Sequence, residues 1–291
     1  MTDQPSSVPP TPAATDIPRH LHALLAARTI SGSRLRAEVS PDWLQGRTTF
    51  GGLIAVLGVQ AMRDVAGAAW PAEVGLRALQ TTFVGPVGAG TVEVDVTLLR
   101  EGKNVRQVQA TVSQDGQLAA VLIGIFGTPR ETSLPPLVPQ RPAPLRGADA
   151  LPALPFIPGV TPNFTQHIDF RWSEGALPFS GGEPWHSSIH MRLHDGPPCD
   201  LPHLQELLTV LLADAAPTPV LGRLKKMGPA SSVSWALEVR PLPAAGASAG
   251  WWRVDKEALA AADGYVNERA LLWAPDGSLA AYGYQVVAVY A

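Results

Sequence analysis

Cysteine is almost absent: Cys199 is the only one in 291 residues. One thiol per chain excludes an intrachain disulfide and a cysteine-rich zinc site, and it fits a reducing compartment. Its neighbours, GPPCDLP, hold no base that would activate it as a nucleophile. Charge is also scarce. Asp, Glu, Lys and Arg make up 16% of the chain and the net charge is −3, so there is no basic footprint for nucleic acid. No run of about 18 apolar residues offers a membrane span, and no basic start with an apolar core reads as a signal peptide. The expectation is a cytoplasmic protein with neither a nucleic-acid nor a membrane partner. G-x-S-x-G and G-x-x-x-x-G-K-[ST] patterns are missing, which argues against a nucleophile-elbow serine hydrolase and a nucleoside-triphosphate enzyme.

Proline and glycine are plentiful, at 29 and 27 residues, and they punctuate the chain. Residues 1–18, rich in Pro, Ser and Thr, have little to bury and read as a disordered tail. A short helix is expected at 18–28 and a strand at 34–40. RTTFGG then leads into LIAVLGVQAMRDVAG, whose apolar residues recur at helical spacing with small residues among them. Strands are expected at 74–85, 90–100, 104–114 and 117–127, separated by VGAG, REGKN and QDGQ. The proline-rich segment 129–160 reads as an extended linker. Beyond it come strands at 166–172 and 186–194 and a helix at about 201–215, with Asp200 as N-cap and Pro202 in the first turn. Four more strands follow, near 231–240, 250–257, 264–273 and 278–289.

The chain therefore repeats one plan. SQDGQLA at 113–119 and APDGSLA at 274–280 fall at the same place in the two copies, and Asp-Gly between strands is a two-residue turn signal. A helix followed by four antiparallel strands buries its apolar face against a curved sheet. This is an α+β fold, a double hotdog, with hotdogs at 19–128 and 161–291 joined by the linker.

His186, His190 and His194 invite a metal reading, but strand neighbours four apart stand about 13 Å from each other, too far for shared ligation. They read as a solvated strand face, and no metal or cofactor is expected. Phe50-Gly51-Gly52 opens a buried helix. Its first free N–H groups could polarise a carbonyl oxygen or hold an anion; a plain packing turn is the alternative. Asp214, in LLADAAPTP, is an acid in the last turn of a helix, where its own helix dipole disfavours it. Either it escapes to water, or it faces a cleft as a carboxylate with a raised pKa that orients or deprotonates water. Polar companions for the second case are Ser231, Ser232 and Ser234 in SSVSWALEVRP and Gln285, the single amide in LAAYGYQVVAVYA.

With these residues assembled, the chain resembles the acyl-CoA thioesterase II family over about 30–290. The resemblance rests on FGG, on the strand block LRALQTTFVGPVGAGTVEVDVTLLREGKNVRQVQATVSQDGQLAAVLIGIFG, and on Asp, SSVSWALEVRP and PDGSLAAYGYQ in order in the second half. It implies hydrolysis of an acyl-CoA by a water held by Asp214, Ser232 and Gln285. Ser232 stands where the family commonly has Thr. A shift of one position would make Ser231 the hydroxyl and turn the wrong one outward. Gly51 and Gly52 are the candidate oxyanion donors, and Arg47, Arg100, Lys103 and Lys225 are candidate contacts for the CoA phosphates. A homo-oligomer is the expected assembly. The alternatives are a non-catalytic acyl-CoA or lipid-binding hotdog protein and a hydratase, for which no Asp-x-x-x-x-His helix start is found.

Overall fold

The computed structural model describes residues 20–144, 146–194, 201–240, 242 and 250–290. The tail at 1–18, Cys199 and the candidate N-cap Asp200 lie outside the described residues. The first half comprises α1 (Leu21–Ala26), β1 (Thr29–Ser31), β2 (Arg34–Val39), β3 (Leu44–Gln45), β4 (Thr48–Thr49), α2 (Gly51–Val65), β5 (Gly75–Phe83), β6 (Gly90–Glu101), β7 (Val105–Gln114) and β8 (Gln117–Gly127). The second comprises β9 (Ile168–Glu174), β10 (His186–Leu193), α3 (Leu204–Ala215), β11 (Ala230–Val239), β12 (Trp252–Ala262), β13 (Tyr265–Trp273) and β14 (Leu279–Val289).

Apart from the small β3–β4 hairpin, the strands form one sheet of 12, ordered β1-β2-β6-β7-β8-β5-β11-β14-β13-β12-β10-β9. Outward from the centre, one half runs β5-β8-β7-β6-β2-β1 and the other β11-β14-β13-β12-β10-β9. The same succession occurs twice, and the fold is a double hotdog. The seam is antiparallel, with Thr81 opposite Trp235 and Leu79 opposite Leu237.

Each helix lies on the sheet of its own half, α2 on β6–β8 and α3 on β13 and β14, and the two helices touch each other. That double contact explains why α2 is buried on nearly every side from Gly52 to Arg63. The approach is close at Gly58, where a Cβ would lie 2.8 Å from Leu122 Cδ2 and the leucine would have to shift. One charged link ties the helices together: buried Arg63 of α2 bonds Glu206 of α3 through Nε at 2.8 Å, and Glu206 also accepts the Leu76 N–H at 2.8 Å.

Several expectations need correction. α3 starts at Leu204 after His203 in the left-handed region (φ 58°), so Pro202 precedes the helix rather than opening it. Asp115-Gly116 forms the expected two-residue turn, with positive φ at both residues. Asp276-Gly277 instead lies in a five-residue loop, since Trp273 pairs with Leu279. It still joins the last two strands of its half, as Asp115-Gly116 does, while a two-residue Asp-Gly turn, Asp263-Gly264, joins β12 to β13 one hairpin earlier.

The segment after β8 straps the second half. Leu154 N–H donates to Phe170 C=O at 2.9 Å, Arg171 to Leu151 C=O at 2.6 Å, and the Trp251 indole to Asp149 at 3.0 Å. Beneath it His190 is buried, not solvated. Burial, with Arg253 and Arg141 nearby, lowers its pKa. Among the described residues no helix is long and apolar enough to cross a membrane.

Candidate active site

Asp214 lies in the last turn of α3, but its carboxylate is at the start of α2. A Cβ on Gly51 would stand 2.9 Å from Asp214 Oδ2. The acid disfavoured by its own helix therefore meets the positive end of the other one. Gly51 and Gly52 make this possible: a Cβ at Gly52 would also lie 2.9 Å from Leu211 O in α3.

Gln285 supplies the second contact, its Nε2 donating to Asp214 Oδ1 at 2.6 Å. Alternate residues of β14, from Ala281 to Val287, face the helices and are buried, which puts Gln285 on the inner face. In register it lies between Trp235 of β11 and Glu268 of β13. Asp214 itself is partly buried. Burial pushes its pKa up; Lys256, the Gln285 amide and the Gly52 N–H pull it down, and Glu268 pushes it up again. The net result is a raised carboxyl, better suited to accept a proton than an ordinary surface Asp.

Ser232 is opposite Val287, and the β11–β14 register then shifts so that Ser234 is opposite Val286. The bulge at Val233 lets Ser232 share the inner face with Gln285, whereas Ser231 is exposed. Ser234 lies on the outer face with Val286. The Ser232 hydroxyl hydrogen-bonds to neither Asp214 nor Gln285 among the described contacts, so two of the three expected water-holding groups touch each other and the third stands one rung away.

The expected oxyanion donors also divide. The Gly52 N–H serves Asp214, and the Leu53 N–H donates back to Phe50 C=O at 3.0 Å. The Gly51 N–H meets no acceptor among the described residues. Of the basic residues, Arg47 is exposed in the β3–β4 turn just before α2, and Lys225 is exposed with its stem against Gly181. Arg100 and Lys103 are brought elsewhere. The sheet row through Thr81 crosses β6 at Val96, and Arg100 lies about 13 Å further along that strand, three strands away.

Sequence reasoning missed two inner-face charges, Lys256 and Glu268, and the Thr81 hydroxyl, buried without a hydrogen-bond partner. Lys256 Nζ meets Glu268 Oε1 at 3.1 Å, with both side chains 2% exposed. A signal existed: each occupies an apolar alternation, Val254-x-Lys256 and Val266-x-Glu268-x-Ala270-x-Leu272. A separate groove of about 280 Å³ crosses the seam on the outer face, where Gln80, Thr82, Ser234, Asn267, Tyr284 and Val286 present their side chains.

Two helices on the inner face of one long antiparallel sheet, with an acid and an amide meeting where one helix begins, define a hotdog-fold protein with a polar site between its halves. Solved structures share the fold. A conserved protein of unknown function from Alicyclobacillus acidocaldarius is 20% identical, with TM-score 0.76, over 94% of this chain and 98% of that one. An acyl-CoA thioesterase II, TesB2, from Mycobacterium marinum is 16% identical, with TM-score 0.69, over 92% and 97%. A tesB protein of Mycobacterium avium subs paratuberculosis is 16% identical, with TM-score 0.71, over 93% and 98%. None of the curated proteins matches the sequence. The acyl-CoA thioesterase N-terminal domain model matches residues 39–127 and the C-terminal domain model residues 148–289. The chain belongs to the acyl-CoA thioesterase family and is a thioester hydrolase.

Proposed function

We propose that the protein hydrolyses an acyl-CoA thioester to free acid and CoA, with Asp214 as the base that activates water. The observation that carries this reading is the 2.6 Å contact between Asp214 and Gln285 beside the start of α2. Asp214 and Gln285 hold the water, and Ser232 completes its cage from the same sheet face. The water oxygen attacks the thioester carbonyl carbon while its proton passes to Asp214. The Gly51 N–H receives the developing oxyanion. The C–S bond then breaks and CoA leaves as a thiolate, which needs little help from a general acid. Arg47 and Lys225, both exposed and on segments adjoining the site, are the remaining candidates for the CoA phosphates.

The same reading divides the chain into hotdogs at 19–128 and 161–291 with the linker 129–160 between them. It places the protein in the cytoplasm as a homo-oligomer with no nucleic-acid or membrane partner. Purified protein incubated with acyl-CoAs of short to long chain, with released thiol trapped, tests the activity. Turnover of at least one chain length is expected. Thiol release from none, with acyl-CoA still bound, would establish the non-catalytic binding protein instead.

A further inference from the structure

We propose that the buried Lys256–Glu268 ion pair is a positioning device for the reaction: Glu268 favours the donating orientation of Gln285, and Lys256 offsets the negative charge that Glu268 sets beside Asp214. The inference rests on Asp214 being the base. Glu268 of β13 is directly opposite Gln285 of β14, and Gln285 in turn bonds Asp214. Lys256 of β12 reaches Glu268 Oε1 at 3.1 Å, while Glu268 Oε2 is buried with no hydrogen-bond partner.

Stability alone does not account for this pair. Buried ion pairs are commonly no better than apolar residues of the same size, and here one carboxylate oxygen is left unsatisfied. Its neighbours on the same face, Val254, Val266, Ala270 and Leu272, are apolar, so methionine or leucine would match the surroundings. Position explains what stability does not. Gln285 is flanked by two carboxylates, Asp214 and Glu268, and that arrangement favours its amide nitrogen between them, where it donates to Asp214. Lys256 supplies the positive charge that pairs with this second, desolvated carboxylate.

The groups acting on Asp214 come from each packed element. β12 brings Lys256, β13 Glu268, β14 the Gln285 amide and α2 the Gly52 N–H. From β5 comes the Phe83 ring, packed with Asp214 around Gly51. Lys256 and Glu268 are thus the two charges acting on it, and they act in opposite directions.

The test is the pH profile of kcat/KM for thioester hydrolysis in the E268Q and K256M proteins, with fold checked by circular dichroism. A base works when ionised, so activity falls as pH drops through its pKa. E268Q removes a negative neighbour and leaves Lys256 to stabilise the anion, so the acid limb should move down by about one pH unit. K256M leaves Glu268 unopposed, and the limb should move up by a similar amount, about one pH unit. A residue with a merely structural role would lower the rate without moving the limb. Limbs unmoved, or moved in the same direction in both proteins, overturn the proposal. If K256M does not fold, E268Q decides alone, with an unmoved limb counting against the proposal. D214N separates the two levels. Activity lost in D214N with unmoved limbs in the others refutes only the positioning role; full activity in D214N refutes the assignment of the base beneath it.

Discussion

The two halves of the molecule each place an aspartate near the end of the central helix, and the two acids are treated in opposite ways. Asp64 of α2 is gripped by Arg28, whose Nε and Nη2 reach its two oxygens at 2.5 and 2.9 Å, and it accepts a third bond from Gln60 at 2.9 Å. Asp214 of α3 has no arginine. It receives an amide, the Gly52 N–H and the distant charge of Lys256, and burial leaves its carboxyl raised. The duplicated fold thus offers the same feature twice. One copy is satisfied by a full counter-ion and ties the segment after α1 to α2. The other is left under-compensated at the boundary between the halves, where an acid is chemically useful.

The largest effect expected from breaking this comparison is on rate. D214N should lower kcat/KM for thiol release by about 10³, in the range of a lost general base, whereas D64N should leave it within about threefold because Asp64 only holds structure. A smaller but still large effect is expected where the helices are joined. E206A strips buried Arg63 of its carboxylate partner and should cost about 3 kcal/mol in denaturant unfolding. A cost near zero would mean that α2 and α3 are held by apolar packing alone. The smallest effect sharpens the hydroxyl assignment. S232A should slow hydrolysis by about tenfold, the value of one lost hydrogen bond to the reacting water, while S231A, on the exposed side of β11, should leave the rate unchanged. The reverse ranking would place the Val233 bulge differently from the structure.

Much of this was legible in the sequence, for identifiable reasons. The helix-then-four-strands plan showed because apolar periodicity and turn residues are local. Asp214 and Gln285 stood out as lone polar residues in apolar elements. What stayed hidden depends on pairing between distant segments. The choice between Ser231 and Ser232 turns on a bulge, which alternation alone does not register. The partnership of Asp64 with Arg28 joins elements that no local pattern connects. His190 alternates like a surface residue and is buried only because the proline-rich segment crosses over it. Lys256 and Glu268 broke the apolar alternation in two neighbouring strands, yet the register that makes them one pair beside Gln285 exists only in the folded sheet. The division of labour between Gly51 and Gly52 required knowing that Asp214 arrives at α2 from the other half.

The central claim is that Asp64 is stabilised in the folded protein while Asp214 is held at a cost for chemistry. An acid whose folded pKa is raised destabilises the fold above that pKa, and the penalty disappears as pH falls below the unfolded value. The most direct test is therefore thermal unfolding of the D64N and D214N proteins side by side at neutral pH. D214N should be more stable than wild type by about 1 kcal/mol, and D64N less stable by about 1–2 kcal/mol after allowance for its partly exposed ion pair. A lowered melting temperature for D214N, or the same sign of change in both proteins, would contradict the account.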